Sequence, residues 1–288
     1  MSELANIIRR YRYYFYQNAG TDKSGNNVPC AHYVGNDECS RSNGCYCKKM
    51  AEVLGYIDNI VPEEYRQLTI NNANGFITDR EGNRKQVWTI ENKVHIQKML
   101  REYLFGGAEL FMLQDRESCN LVSKMDERYA NGESIIIHGS AVRDTVRNIP
   151  IQPLPTGRTL IASLIIKEAI WRRLYKSNRA DTYGFISYQN LKNSLKNKDD
   201  SAISYGSYDW LVIDDISLPA DEKEFNHMHT VTYFDDFLMT RIDAKLPTIL
   251  VCDFDATARD YTNAIGFSFQ KLVTMKSTWL LQAGGMHA

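Results

Sequence analysis

The chain has 288 residues, 43% of them hydrophobic, and a formal net charge of −1. That length fits one large domain or a core with a smaller companion, and the near-zero charge excludes a global field that would recruit nucleic acid or membrane, so any basic surface is local. No apolar run reaches the length of a membrane span, and the start, Met1-Ser2-Glu3-Leu4-Ala5, lacks a signal peptide's hydrophobic region, which predicts a cytosolic protein with reduced thiols.

Residues 1–18 interleave Arg9, Arg10 and Arg12 with Tyr11, Tyr13, Tyr14, Phe15 and Tyr16. They read as a short helix that packs on a neighbouring module, in preference to a stacking surface for single-stranded nucleic acid. After a polar, glycine-rich loop come Cys30, Cys39, Cys45 and Cys47, four of the chain's six cysteines, with His32 between the first two. Thiols clustered in a reducing compartment point to a metal rather than to disulfides, and thiolates select zinc. The expectation is one structural Zn²⁺ held by the four cysteines, with His32 as an alternative ligand.

Lys48–Asn59 reads as a helix. Val61-Pro62-Glu63-Glu64-Tyr65 carries a helix-start signal, a proline followed by two acids. A turn-rich stretch follows, with a hairpin tip near Glu81-Gly82-Asn83, then helices over His95–Phe105 and Leu121–Tyr129.

Ser134-Ile135-Ile136-Ile137-His138-Gly139 predicts a buried strand, and Leu160, Leu164, Ile165 and Ala169 recur at helical spacing. Between them lies Pro155-Thr156-Gly157-Arg158-Thr159. Strand, glycine loop and helix is the context of a phosphate-binding loop, in which free N–H groups at the helix start face an anion, a basic side chain reaches the phosphates and a hydroxyl holds magnesium. Read without a gap, Gln152 stands at the first glycine, Pro155 at a position that is often glycine, and Arg158 at the lysine. Read with a gap, Gly139 is the first glycine and the residues up to Pro155 are an insertion. On either reading Gly139, Thr156, Gly157, Arg158 and Thr159 are the candidate nucleotide contacts.

Thr182–Tyr188 predicts a second strand, and Asn190–Leu195 a helix or loop whose nearby Lys192, Lys196 and Lys198 read as a solvated face rather than a phosphate-backbone contact. Tyr208–Ile216 is an apolar strand ending in Asp214-Asp215. Carboxylates at the end of a buried strand are costly unless they serve a cation or a base. Asp214 is the candidate magnesium partner and Asp215 the candidate water-activating acid. Val231–Ile242 reads as a helix, Pro247–Asp253 as a buried strand and Lys271–Gln282 as one last element. Strands alternating with helices over 133–288 imply a parallel α/β sheet with helices on both faces.

Taken in order, these motifs resemble the DnaC/DnaI-type helicase loaders and the related IstB transposition helpers, both AAA+ ATPases. Cys45-x-Cys47 followed by Pro62-x-x-Tyr65 resembles the join between zinc module and ATPase core. Pro155–Thr159 resembles Walker A, Gly184–Leu191 the second strand and helix, Leu211–Asp215 Walker B, and Arg241-x-x-x-Lys245-Leu246-Pro247-Thr248-Ile249 the entry to the sensor 1 strand. The resemblance implies a zinc module and helicase-binding region over 1–60, a helical linker over 61–132 and an AAA+ core over 133–288. It implies ATP with Mg²⁺ as cofactor, a DnaB-type hexameric helicase and single-stranded DNA as partners, copies of the chain assembling on the helicase ring, and a bacterial or phage-infected cytoplasm. The chain departs from the pattern at four places. Arg158 replaces the lysine beside the missing glycines, Asp253 stands at the sensor 1 asparagine, Lys271 stands at the arginine finger, and the tail ends without the terminal arginine. Weak nucleotide binding with hydrolysis near background is the expectation. The alternatives are an IstB-like transposase helper and a non-hydrolysing adaptor on the AAA+ fold.

Overall fold

A computed structural model describes the side chains of residues 53–66, 68, 93–104, 124–139, 157–170, 181–218 and 231–283, together with the backbone of further short elements. In chain order these are β1 (Gly20–Thr21), β2 (Asn27–Val28), β3 (Tyr33–Gly35), β4 (Glu38–Cys39), α1 (Tyr46–Ile60), a 3₁₀ turn (Glu63–Tyr65), β5 (Phe76–Thr78), β6 (Arg84–Gln86), α2 (Ile90–Phe105) and α3 (Met125–Asn131). Then follow β7 (Ile135–His138), α4 (Arg158–Ile170), β8 (Tyr183–Ser187), α5 (Tyr188–Asn197), α6 (Asp200–Ser207), β9 (Trp210–Ile216), α7 (Phe225–Asp243), β10 (Thr248–Cys252), α8 (Phe267–Thr274) and β11 (Trp279–Gln282). The two halves of the expected hairpin, β5 and β6, pair antiparallel.

Five strands form one parallel sheet in the order β11-β7-β10-β9-β8. The strands are apolar on both faces, as a doubly covered parallel sheet requires. Alternation along each strand divides the core in two. Ile135, Ile137, Trp210, Val212, Ile249 and Val251 join one buried cluster, whereas Ile136, Leu211, Ile213, Leu250 and Cys252 join the other. Helices α1, α2 and α4 cover the first face, and α5, α7 and α8 the second.

Helix α4 is buried nearly all round, Thr159 and Glu168 alone being partly exposed. An amphipathic stripe would not do this; a helix sandwiched between sheet and outer helices needs apolar residues on every side. Each buried Leu or Ile contributes about 1.5–3 kcal/mol. Its one interior cation, Lys167, is satisfied by three backbone carbonyls, donating to Tyr65 O at 2.9 Å, to Arg66 O at 3.0 Å and to Leu68 O. The 3₁₀ turn is thereby strapped to the outer side of α4. Val53, Leu54 and Ile57 of α1 and Ile96, Leu100 and Leu104 of α2 pack into the same cluster. Helix α3 ends at Gly132, whose φ of 65° turns the chain into β7.

Several boundaries differ from the sequence reading. The last element, read as a single unit over Lys271–Gln282, divides into helix α8 and strand β11. Met275 is extended and Lys276-Ser277 turn the chain, so the second piece can enter the sheet beside β7. Helix α6 was not read; Asp199 caps it by accepting from Ser201 N at 3.1 Å. The start signal at Pro62 opens only the 3₁₀ turn, α7 begins at Phe225, and α3 begins at Met125. Residues 1–18 lie outside the described residues. Among those described, no helix is long and apolar enough to cross a membrane.

Candidate nucleotide-binding site

Parallel strands deliver their carboxyl ends, and the loops that follow, to one edge of the sheet. Ligands bind there, where neighbouring strands send their connections in opposite directions. The chain leaves β7 for α4 and the far edge strand β8, whereas it leaves β10 for α8 and β11 on the other side. β7 and β10 are neighbours, so the ends Gly139 and Asp253 flank such a crevice.

The candidate residues collect at this edge. Gly157 has φ 71°, a left-handed conformation that a residue with a Cβ adopts only at a cost, and it opens α4 by accepting from Ile161 N at 2.9 Å. The first N–H groups of a helix have no partner within the helix, so this turn offers donors and the positive end of the helix dipole. Thr159, the second residue of α4, places Oγ1 3.3 Å from Asp214 Oδ1 at the end of β9. This joins the hydroxyl and the carboxylate that the sequence reading assigned to magnesium. Burial, with the neighbouring Asp215 adding a smaller push, raises the Asp214 carboxyl to about 6, against the favourable pull of Thr159 and Arg158.

Asp215 is exposed and has φ 62°. The pairing of β9 with β10 is regular through Ile213 and Leu250 and then shifts, so that Ile216 faces Cys252. The shift is a bulge at the two carboxylates, a device that re-aims side chains at the end of a strand. Left-handed backbone at an aspartate is strained, and strain of this kind collects at functional sites.

Arg158 is 8% exposed and donates from Nη1 to Gly139 O at 2.8 Å. Burial lowers its pKa, and the charges of Asp253, Asp214 and Asp215 oppose that shift. Its guanidinium ties the helix start to the end of β7. Gly139 is fixed from its other side as well, donating N–H to Phe254 O at 3.1 Å, while Asp253 N donates to Ile216 O at 3.0 Å.

Two further residues at this edge escaped the sequence reading. His138 is buried, with Nδ1 3.3 Å from Asp255 Oδ1. Burial lowers its pKa, and Asp255 works in the opposite direction. Asp255 is held in turn by Thr257 N at 2.9 Å and Thr257 Oγ1 at 2.7 Å, and hydrogen bonds from the Thr257 side chain keep its pKa low. Their only sequence signal is adjacency, His138 to Gly139 and Asp255 to Asp253.

Other predicted residues lie elsewhere or outside the description. Lys271 is half-buried on α8 with Nζ 3.4 Å from Met239 Sδ, and no described hydrogen bond or ion pair links it to Arg158, Thr159 or Asp214. Thr156, Cys30, His32 and Cys45 lie outside the described residues; Cys39 falls on β4 and Cys47 on α1, their side chains not described. Lys196 and Lys198 are exposed, and Lys192 sits 4.4 Å above the Tyr188 ring.

No protein-family model and no curated protein matches the sequence. Similar solved structures include DnaI, at 16% identity over 56% of this chain and 78% of that one, with a TM-score of 0.37. The DnaC helicase loader is similar at 15% identity over 56% and 86%, with a TM-score of 0.38. The replication initiator DnaA, bound to AMPPCP and single-stranded DNA, is similar at 14% identity over 78% of this chain and 51% of that one, with a TM-score of 0.43. The chain itself is an α/β protein with a five-stranded parallel sheet flanked by helices, and Thr159 meets Asp214 at its carboxyl edge.

Proposed function

We propose that the chain binds a magnesium–nucleotide at this edge and serves DNA replication as an AAA+-type loader, gripping a DnaB-type hexameric helicase and aiding its placement on single-stranded DNA. The observation that carries the nucleotide assignment is the contact of Thr159 Oγ1 with Asp214 Oδ1, 3.3 Å, at the start of a buried helix. In this reading the N–H groups of the first turn hold phosphate, Thr159 and Asp214 hold magnesium, Arg158 contributes positive charge, and Asp215 orients a water. Bound magnesium would neutralise phosphate charge and hold it in register. The helicase and DNA assignment is supported by the order of the motifs, from Cys45-x-Cys47 to Leu246-Pro247-Thr248.

Turnover is expected near background. Arg158 already engages the Gly139 carbonyl, and a lysine's compact, mobile ammonium is lacking there. Lys271, in contact with Met239, cannot form the bidentate clamp of an arginine finger; such a finger is worth a factor of about 10³–10⁵ in rate.

The loader assignment is tested by copurification with a replicative helicase. Val53, Leu54 and Ile57 belong to the hydrophobic core, so the informative deletion is 1–45, with α1 retained. The full chain should retain the ring and the deletion should lose it while melting as a folded protein. A deletion that binds the ring as tightly as the full chain would refute the assignment of the contact to the N-terminal module, and preference for duplex DNA with no ring binding would favour the transposase helper.

A further inference from the structure

Beyond Ile137 and Val251, the last paired residues of β7 and β10, two links still hold the strand ends together. One is the backbone bond from Gly139 N to Phe254 O, 3.1 Å. The other is a side-chain contact, His138 Nδ1 to Asp255 Oδ1, 3.3 Å. Together they form one short seam, residues 138–139 against 254–255. Asp255 is the knot of the loop on the far side. Its Oδ1 accepts from Thr257 N at 2.9 Å and Thr257 Oγ1 at 2.7 Å, and its carbonyl accepts from Tyr261 Oη at 2.6 Å. Tyr261, 3% exposed, packs on Phe254 and Phe269. The loop is braced within itself, and the seam is where it grips β7.

His138 is the sensitive member of that seam. The residue is 4% exposed, and Nδ1 makes no hydrogen bond among the described residues; it lies within ion-pair distance of Asp255 without the alignment of a bond. A proton there would place a charge out of water. Asp255 favours that charge, Arg158 at the start of α4 opposes it, and burial decides the balance by lowering the pKa from 6.5. Other neighbours bring little charge. Gln282, its partner on β11, is neutral, burial holds the Cys252 thiol of β10 in its neutral form, and Lys271 of α8 is turned to Met239. The loop also carries Asp253, Asp260 and Arg259, the last over the Tyr261 ring. The stabilisation from neutral His138 is fully present above pH 6.5 and is lost as pH falls through the lowered value. The side chain of Asp255 is 28% exposed, so the seam is the side of the ring that opens to solvent. Local opening there solvates the charge without unfolding the sheet.

We propose that His138 is an acid-operated release: protonation of this enclosed ring parts the seam to Asp255, breaks the Gly139–Phe254 bond with it, and frees the loop 254–261 from the edge that holds Arg158. Nothing in this requires that the edge bind a nucleotide.

Hydrogen exchange of the full chain, corrected for the intrinsic pH dependence of amide exchange, tests this at the Gly139 amide, the donor of the seam. Between about pH 7.5 and pH 5.5 its protection should fall at least about threefold. The amide of Trp279, bonded to Ser134 O at the far end of β7, should lose less. His138→Gln should abolish the fall. Asp255→Asn keeps the imidazole but removes the carboxylate that favours its charge, and should deepen the fall. Constant protection at Gly139, equal losses at Gly139 and Trp279, or a fall that survives His138→Gln overturns the proposal. Should the Gln variant not fold, Asp255→Asn decides, and a loss no deeper than that of the wild type overturns it as well.

Discussion

Two buried arginines stand at opposite ends of the same sheet, and they do different things. Arg241 of α7, 0% exposed, lies at the amino edge. Nε donates to Thr248 Oγ1 at 2.9 Å, Nη1 to the carbonyls of Tyr205, Gly206 and Tyr208 at 3.0, 3.2 and 2.8 Å, and Nη2 to Pro247 O at 2.9 Å. Burial pushes its pKa down to about 9, with the Asp209 charge opposing, and it remains a cation at neutral pH. Arg158 at the carboxyl edge has one described hydrogen bond, to Gly139 O, and the charges of three carboxylates favour its ionised form. A cation whose donors are filled by neutral backbone dipoles binds segments of the fold together. One left facing acids at the mouth of a crevice is arranged for an incoming anion and cation.

The largest effect that separates the two is on stability. Arg241→Met should lower the unfolding free energy by about 3–5 kcal/mol, because four carbonyls, two at the end of α6 and two just before β9 and β10, lose a buried partner. Arg158→Met should cost no more than about 1–2 kcal/mol in stability and should weaken Mg²⁺–nucleotide binding at least tenfold. Urea denaturation and calorimetry on both variants check this. Equal destabilisation would break the distinction between a clamp and a site.

Next in size is Asp214→Asn. The folded-state pKa of Asp214, about 6, lies above its ordinary 3.8. Between those values the folded chain keeps a proton that the unfolded chain has released. The stabilisation from this group is therefore fully present below pH 3.8 and is lost as pH rises through about 6. Above that window the Asn variant should be more stable than wild type, on the order of 2 kcal/mol, and its stability should lack this pH slope. Magnesium demands the ionised form, so Mg²⁺–nucleotide affinity of the wild type should rise with pH through the same window. A destabilised Asn variant at pH 8 would show that Asp214 is held mainly by its bonds to the fold.

A smaller effect is expected one residue on. Asp215→Gly relieves left-handed backbone at a non-glycine and should raise the melting temperature, with a gain of about 1 kcal/mol. Any residual hydrolysis should fall. If stability drops instead, the bulge depends on the carboxylate rather than merely tolerating it.

The sequence displays what is local and repetitive. β7, β9 and β10 stand out as unbroken apolar runs because both their faces are covered, and α4 by helical spacing between a glycine and Ile170. Thr159 and Asp214 could be paired before any coordinates, since motif order implies their meeting. Other features depend on distant neighbours. Arg241 enters the sequence only as the first residue of a motif, and its role emerges when the carbonyls of Tyr205, Tyr208 and Pro247 converge on it. His138 and Asp255 meet only because β7 and β10 are adjacent. β11 is too short to separate from α8 by pattern; its partner β7 defines it. Lys167 carries no sequence signal of burial, yet it is buried, and three carbonyls of a segment that the reading took for a linker hold it there.

The central claim is that Thr159 and Asp214 form the magnesium side of a nucleotide site, and thermal unfolding of the full chain tests it most directly. With Mg²⁺–ADP at a hundred times its Kd the wild type should gain about 2.7 kcal/mol. The gain should vanish when Mg²⁺ is chelated and should be lost in Thr159→Val and in Asp214→Asn, both still folded. A wild-type chain whose melting temperature is unmoved by millimolar Mg²⁺–ADP and Mg²⁺–ATP, or a gain that survives both substitutions, would contradict it.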